Sequence, residues 1–248
     1  HNDSDLSIGF WNVENLFDLE NDPDKRDDEF SLNGRKKVTK EIYDLKIKNS
    51  AEVLYDLNVD VLGLCEVENR KVLNDLNNSY RSRNYSIIHY DSPDERGIDN
   101  ALLYDKDKFS IITSKPIQNN LGRDDKTRDI LYVKGLYKNS ALHIFVNHWP
   151  SNYGGKELAI PKRKSTALLI MQQISEIQKN ENNAEIILLG DFNEDPTDEN
   201  VTLLYDLGFV SLMEPMIGIP KTGTYLYRGK DYFYDQIIIN KALNEDGN

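Results

Sequence analysis

Four apolar residues, Ile186-Ile187-Leu188-Leu189, run directly into Gly190-Asp191-Phe192-Asn193. A continuous apolar run of this length is typical of a strand that is buried on both faces of a sheet. Asp191 and Asn193 then fall at the end of that strand, where polar groups from neighbouring strands collect at one edge. This stretch predicts an α/β fold with a polar cleft along one edge of a sheet.

Four other apolar runs carry a carboxylate, an amide or an imidazole at one end, and they cover residues 8–12, 61–66, 144–148 and 234–239. If these runs are strands of the same fold, oxygen donors and one imidazole converge in the cleft. Such a group suits Mg²⁺ or Mn²⁺ beside a phosphate, whereas a structural zinc needs several Cys and His ligands. We therefore expect a Mg²⁺ or Mn²⁺ site there.

Composition points to one domain. The chain has 248 residues and no linker rich in Gly, Ser or Pro, which predicts a single domain over residues 1–248. No apolar stretch approaches the length of a membrane-spanning helix, so we expect a soluble protein without membrane insertion. We also expect a monomer. The compartment stays open between secreted or periplasmic and cytoplasmic. The lone cysteine, Cys65, lies in an apolar run and is expected to be a core thiol.

The formal net charge of −12 argues against general adhesion to nucleic acid, which depends on Lys and Arg. A polyanionic substrate then requires a local basic segment. The candidates are Lys162-Arg163-Lys164, Arg123 with Lys126 and Arg128, and Arg35-Lys36-Lys37, although each is equally compatible with a solvated face or helix end.

Hydrophobic periodicity predicts strands and helices along the whole chain. The predicted strands cover residues 6–12, 59–65, 85–90, 101–104, 109–113, 130–137 and 141–146, a segment ending at 191, and 236–239. Four helices are predicted. One begins near Arg35, one covers residues 69–77, one begins at Pro161, and one follows the segment 195–198. The apolar stripe expected for the first helix consists of Val38, Ile42, Leu45 and, later, Leu54 and Leu57.

Three polar motifs point to chemistry, and each has a structural alternative. Asp191 is suited to activate water while the Asn193 amide donates to a phosphate oxygen, but Asp and Asn after a strand also close turns. A buried Glu66 needs a cation or hydrogen-bond donors, unless it only begins a solvated loop. His148, in Asn147-His148-Trp149-Pro150-Ser151, is suited to stabilise a pentavalent phosphorus transition state or to protonate the leaving oxygen.

Taken together, these motifs resemble a known family. Residues 11–17, 65–69 and 190–193 resemble, in order, three motifs of the endonuclease/exonuclease/phosphatase superfamily, which includes deoxyribonucleases, abasic-site endonucleases, sphingomyelinases and inositol-polyphosphate 5-phosphatases. Residues 96–99, 127–129, 147–155 and 161–163 resemble a bacterial, often secreted, nuclease-like branch of it. The resemblance covers almost the whole chain.

The resemblance implies a four-layer α/β sandwich, in which two mixed β-sheets pack face to face with helices on the outside. It also implies that the reaction is hydrolysis of a phosphoester. Glu66 would be the ligand of the divalent cation, and Asn12 would lie beside the ion.

The same resemblance suggests roles for further residues. Asp191 would orient the attacking water, Asn193 and His148 would contact the phosphate, and Asp235 would support the family's final histidine. The candidate phosphate contacts are Asn147, Arg96, Arg128 and Arg163. The three arginines are equally candidates for structural contacts.

One part of the family pattern is missing from the sequence. The pattern continues to a Ser-Asp-His strand beyond the motif of Asp235, and residues 236–248 contain no such triplet. We therefore expect the domain to lack this C-terminal strand, either because it lies outside the sequence or because the protein is an inactive member.

From the sequence we predict a Mg²⁺- or Mn²⁺-dependent phosphodiesterase of nuclease type, with nucleic acid as the first-choice substrate. The acidic net charge keeps open a phosphatase or phosphodiesterase that acts on a small or lipid phosphoester. A binding protein that has lost turnover is the rival from another class. The presence of Glu66, His148 and Asp191 at costly positions argues against that rival.

Overall fold

The computed structural model describes residues 5–122 and 125–245, and Arg123 of the candidate basic segments lies outside them. The strands are β1 (Ile8–Leu16), β2 (Val61–Val67), β3 (Ser86–His89), β4 (Asp99–Tyr104), β5 (Phe109–Ile117), β6 (Ile130–Tyr137), β7 (Ser140–His148), β8 (Glu185–Asp191), β9 (Phe209–Ser211), β10 (Tyr225–Tyr227), β11 (Lys230–Tyr232) and β12 (Asp235–Asn240). The helices are α1 (Lys40–Leu57), α2 (Arg70–Ser79), α3 (Lys156–Asn180), α4 (Glu199–Tyr205) and α5 (Lys241–Glu245).

Two mixed sheets form the centre of the described fold. The first has the order β1-β2-β4-β3, with β1 and β2 parallel and the other neighbours antiparallel. The second has the order β5-β6-β7-β8-β12-β9, with β7 and β8 parallel and the other neighbours antiparallel. A separate hairpin pairs β10 with β11.

Three buried clusters fill the spaces between the layers. One lies between the sheets and contains side chains from both, for example Val61 and Leu102 of the first and Ile144 and Leu189 of the second. A second cluster packs α1 and α2 on the outer face of the first sheet. A third packs α3 and α4 on the outer face of the second sheet. This order of layers confirms the predicted four-layer sandwich.

The first helix differs from its prediction. It begins at Lys40 rather than near Arg35, because Thr39 caps it by accepting a hydrogen bond from the Ile42 amide at 3.3 Å. Ile42 and Leu45 are 50% and 56% exposed, so the predicted apolar stripe is wrong at both positions. The buried face contains Tyr43, Ile47, Ser50, Ala51 and Leu54, so the prediction is confirmed at Leu54, whereas Leu57 is 36% exposed.

Other elements agree with the sequence to within a few residues. β6 has the predicted bounds, while α3 begins at Lys156, five residues before Pro161, which therefore lies inside the helix. Cys65 is fully buried and burial raises the pKa of its thiol, as expected for a core residue. Among the described residues, no helix is both long and apolar enough to cross a membrane.

Candidate active site

A cavity of about 830 Å³ opens at the strand ends, where the two sheets meet. Of the ten side chains predicted for the site, seven line this cavity, namely Asn12, Glu66, Arg96, His148, Asp191, Asn193 and Asp235. They come from strands of both sheets and from the loops that follow them. The sequence therefore predicted which strand ends converge.

Strand register places Asp191 at the centre of this group. In the parallel pair β7–β8, Asp191 lies opposite His148, and in the antiparallel pair β8–β12 it lies opposite Asp235. Gly190 permits the close approach of β7, because a Cβ atom there would lie 2.5 Å from the backbone oxygen of Asn147. At the end of this apolar run, the carboxylate of Asp191 thus lies between the imidazole of His148 and the carboxylate of Asp235 in the sheet.

The two sheets are joined at the floor of the cavity by one amide. Nδ2 of Asn12 donates to Oδ2 of Asp191 at 3.1 Å and to Oε1 of Glu66 at 3.4 Å. Its Oδ1 accepts a hydrogen bond from the Glu14 amide at 2.9 Å, which fixes the orientation of the carboxamide. Asn12 therefore orients two carboxylates that belong to different sheets.

Glu66 reaches the cavity because the backbone bulges there. Its φ is +62°, and the register of β2 with β4 shifts between Cys65 and Val67. On β1, Glu14 and Asn15 also have positive φ, and the Asn15 amide donates to Oε2 of Glu66 at 2.9 Å. Bulges redirect side chains, and such backbone strain is often found at functional sites. Hydrophobic periodicity gives no signal for either bulge.

His148 is buried against these acids without a close ion pair. Its Nε2 lies 3.7 Å from Oε1 of Glu66 and 3.8 Å from Oδ2 of Asp191. Burial lowers the pKa of His148 well below its usual range, and Arg128 and Arg96 lower it further. The imidazole is therefore neutral near physiological pH, which favours hydrogen-bond donation over protonation of the leaving oxygen among the two roles expected for it.

Four carboxylates line this cavity, and three of them, Glu66, Asp191 and Asp235, come from the predicted site. Burial raises the pKa of Asp191, and the charge of Glu66 adds to the effect. Burial also raises the pKa of Asp235, and the charges of Asp191 and Glu66 raise it further. Burial and neighbouring acids thus destabilise the charged forms of Asp191 and Asp235, which is the electrostatic situation that a divalent cation would relieve. The donor set thus fits a hard cation such as Mg²⁺ or Mn²⁺.

Asn193 is held by the strand end. Its backbone amide donates to Oδ1 of Asp191 at 2.9 Å, and its Nδ2 donates to the backbone oxygen of Trp149 at 3.1 Å. The residue has a φ of +51°, which Asn tolerates better than most residues. These contacts keep the carboxamide on the cavity wall beside Asp191.

The structure corrects the predicted phosphate contact of Asn147. This side chain is fully buried and donates to the backbone oxygens of Phe145 and Leu189, both at 3.2 Å. Its Oδ1 accepts from the indole nitrogen of Trp149 at 3.3 Å. Asn147 therefore fixes the turn that carries His148, and it does not reach a ligand in the cavity.

Arg128 and Arg163 also support this turn from beneath. Arg128 is 6% exposed and donates to the backbone oxygen of Trp149 at 2.8 Å. Arg163 is fully buried, donates to the Pro150 oxygen at 3.0 Å and pairs with Glu194 at 2.7 Å. Neither residue lines the cavity, so the structural alternative applies to both and the predicted phosphate contact is corrected.

Arg96 is the one of the three predicted arginines that lines the cavity. Its side chain is 41% exposed, and its Nε lies 3.7 Å from Oδ1 of Asp94. Burial of part of the guanidinium, with Arg128 nearby, lowers the pKa of Arg96, although an arginine stays charged at neutral pH. It is available to an anionic group in the cavity.

Two further groups of potential metal ligands occur among the described residues, and they are His89, Asp91 and Asp99, and Asp22, Asp27 and Glu68. In the first, Nε2 of His89 contacts Oδ2 of Asp99 at 2.9 Å. In the second, Oδ2 of Asp27 accepts from the Asp22 amide at 2.9 Å. Neither group lines the cavity described above, so neither is the metal site that the sequence predicted.

A family model described as the Endonuclease/Exonuclease/phosphatase family matches residues 7–248. The chain therefore belongs to this family, and the resemblance found in its motifs is confirmed. Members of the superfamily are metal-dependent phosphoesterases, and nucleases are among them. No curated protein sequence matches the chain significantly.

Solved structures share the fold at low sequence identity. Truncated Caenorhabditis elegans TDP2 is 20% identical with a TM-score of 0.64, over 82% of this chain and 80% of that one. D. rerio TDP2 complexed with single strand DNA product is 16% identical with a TM-score of 0.62, over 95% and 83%. The human Nocturnin catalytic domain with bound sulfate anion is 18% identical with a TM-score of 0.58, over 79% and 75%.

Proposed function

We propose that the protein hydrolyses phosphodiester bonds of nucleic acid with a Mg²⁺ or Mn²⁺ ion held by Glu66. The observation that carries this proposal is the single amide of Asn12, which joins Glu66 to Asp191 across the two sheets. Carboxylates buried this close together are unfavourable unless a cation neutralises them. Family membership supports the same class of reaction.

In this proposal Glu66 holds the ion and Asn12 keeps the carboxylate turned toward it. When bound, a divalent cation neutralises negative charge that develops on the phosphoryl oxygens. The Asn193 carboxamide, the Nε2–H of His148 and the Arg96 guanidinium donate hydrogen bonds to the non-bridging oxygens. Because these donors are fixed before the substrate arrives, they stabilise the transition state without reorganisation.

Asp191 acts on the attacking water. It accepts a proton as the water oxygen forms a bond to phosphorus, and its raised pKa makes it a stronger base than an ordinary aspartate. The bond from phosphorus to the leaving oxygen breaks, and that oxygen departs with the electron pair and takes a proton from solvent. Asp235 lies opposite Asp191 in the sheet, and the raised pKa of its carboxyl limits the negative charge beside the base.

A crystal soaked in Mn²⁺ tests the metal site. The proposal predicts an anomalous peak beside Glu66, and loss of that peak in Glu66→Gln. A peak at the group of Asp22, Asp27 and Glu68, with none beside Glu66, would overturn the assignment.

Nucleic acid is the proposed substrate, and the D. rerio TDP2 structure with a single-stranded DNA product is consistent with it. The formal net charge of −12 favours a second candidate, a small phosphoester, because a small substrate needs few basic contacts. Comparing kcat/KM for an oligonucleotide with that for a mononucleotide diester separates the two candidates.

A further inference from the structure

A tyrosine-rich hairpin stands beside the candidate active site. β10 and β11 are joined by Arg228 and Gly229, which both have positive φ, as a two-residue hairpin loop requires. The hairpin belongs to neither large sheet. Hydrophobic periodicity predicted no strand here, so the hairpin and its side chains took no part in the predicted site.

One face of this hairpin carries closely spaced aromatic rings, which we call the tyrosine face and define as Tyr225, Tyr227, Tyr232 and Tyr234. Tyr225 lies directly opposite Tyr232 in the register. Its ring centroid is 6.2 Å from that of Tyr227 and 5.2 Å from that of Tyr234, with interplanar angles of 10° and 19°. Both ring pairs are stacked, so the tyrosines form one contiguous aromatic cluster.

Two of the four rings are well exposed to solvent. Tyr225 and Tyr227 are 46% and 48% exposed, so much of their ring surface lies outside the core. Cations accompany them, because Lys230 lies 4.5 Å from the Tyr232 ring centroid and Arg228 lies 5.2 Å from that of Tyr227. An exposed group of aromatic rings with cations is typical of surfaces that stack nucleobases.

The tyrosine face is continuous with the active-site cavity. All four of its tyrosines line the cavity that contains Asp191 and Asp235. Tyr234 precedes Asp235 directly, and the Asp235 amide donates to the hydroxyl oxygen of Thr224 at 3.0 Å. A phosphodiester held by the hydrogen-bond donors beside these carboxylates would therefore place its neighbouring nucleotides against the rings.

We propose that the tyrosine face stacks unpaired bases next to the scissile phosphate, so that the substrate is single-stranded nucleic acid. This inference rests on the proposed phosphodiesterase function. Bases in a duplex have both faces covered by their neighbours, whereas an unpaired base offers its face to a ring. Stacking also needs little positive charge, which explains how a chain of net charge −12 retains a polyanion.

An exposed aromatic hairpin could also bind a membrane surface, but two features of this hairpin argue against membrane binding. The tyrosines line a cavity instead of projecting from the surface. Leu226, which is 69% exposed, lies opposite Asp231 in the register, and a carboxylate there opposes insertion into lipid. We therefore propose that unpaired bases, and not a membrane, occupy the tyrosine face.

The test compares two substrates of equal charge, a single-stranded oligonucleotide and the same backbone with abasic sites. Tyr225→Leu and Tyr227→Leu remove flat rings but keep apolar bulk. Each is expected to lower kcat/KM on the oligonucleotide by about tenfold or more, and to leave the abasic backbone within about twofold. Tyr225→Phe keeps the ring and is expected to match the wild type, as is Tyr55→Leu, a change at an exposed tyrosine on α1.

Equal losses on both substrates, or no loss on the oligonucleotide, would overturn the proposal. So would binding to phosphatidylserine vesicles that is lost in Tyr225→Leu while oligonucleotide cleavage is unchanged. If the wild type cleaves neither substrate, the proposed function fails separately. Quenching of an oligonucleotide carrying 2-aminopurine then decides the stacking proposal, which predicts quenching by the wild type and its loss in Tyr225→Leu, and which fails if the wild type gives none.

Discussion

Nδ2 of Asn12 on β1 donates a hydrogen bond of 3.1 Å to Oδ2 of Asp191 on β8. This bond crosses from the four-stranded sheet to the six-stranded sheet at the floor of the cavity. Since the same amide also contacts Glu66 at 3.4 Å, one side chain sets the relative positions of the proposed base and the proposed metal ligand. The catalytic geometry therefore depends on how the two sheets pack.

Replacing Asn12 by alanine tests this dependence. Asn12→Ala removes the donor from both carboxylates, so we expect kcat/KM for a phosphodiester to fall by about tenfold to a hundredfold. Initial rates at saturating Mg²⁺ measure the effect. Asn139→Ala, in the exposed turn between β6 and β7, is the control and should match the wild type. Full activity in Asn12→Ala would contradict the proposed role.

Gly190→Ala tests the close approach of β7 and β8. The added Cβ would lie 2.5 Å from the Asn147 backbone oxygen, which neither strand can avoid without shifting. We expect a loss of about 1–3 kcal/mol in the free energy of unfolding, measured by denaturant titration. Gly9→Ala meets only side-chain atoms of Val59 and Leu62, the nearest at 3.3 Å, and should be milder. Equal stability of the two variants would contradict this packing.

Arg163→Met and Arg96→Met separate support of the turn from contact with substrate. Arg163 is buried and pairs with Glu194, so its loss leaves a buried acid without a cation and should cost about 3–5 kcal/mol of stability. Arg96 is 41% exposed on the cavity wall, so its loss should raise KM with little change in Tm. An unchanged Tm in Arg163→Met, or a large fall in Tm in Arg96→Met, would reverse the two assignments.

The binding of a divalent cation should strengthen as pH rises. Burial and neighbouring carboxylates raise the pKa of Asp191 and of Asp235, so both hold protons at a pH where ordinary aspartates are charged. A cation binds the deprotonated acids, and its affinity therefore falls as pH drops through these raised pKa values. Calorimetric titration with Mn²⁺ at about pH 6 and about pH 8 should show tighter binding at the higher pH, with release of protons.

Asp235→Asn provides the matched comparison for this pH dependence. It removes one titrating acid and lowers the repulsion around Asp191, so the affinity should vary less with pH. An affinity for Mn²⁺ that is the same at both pH values in the wild type would show that these acids do not face the bound cation.

The sequence predicted the parts of the site that lie on regular strands. Apolar runs that end in Glu66, His148 and Asp191 place these residues at strand ends. Such runs fit best in strands that are buried on both faces of a sheet. The position of a polar residue at the end of a strand can be predicted from the apolar run that precedes it, and a single sequence contains that information. The four-layer arrangement then followed from the resemblance carried by the same motifs.

Other parts of the site depend on contacts between distant segments. The bulge at Glu66 is held by the Asn15 amide, 51 residues away in the chain, and leaves no periodic signal. Whether Asn147 and Arg163 face the cavity or the core depends on the turn they support, so the sequence assigned a phosphate contact where the structure has buried support. The tyrosine hairpin was missed because its three-residue strands are too short to show alternation.

Hydrolysis of a single-stranded oligonucleotide in Mg²⁺, compared between the wild type and Asp191→Asn, tests the central claim most directly. The amide keeps the size of the side chain but cannot accept a proton from water. We predict cleavage by the wild type that stops in a chelator, and a rate at least about a hundredfold lower in Asp191→Asn. Equal rates for the two proteins, or cleavage that continues in the chelator, would contradict metal-dependent hydrolysis with Asp191 as the base.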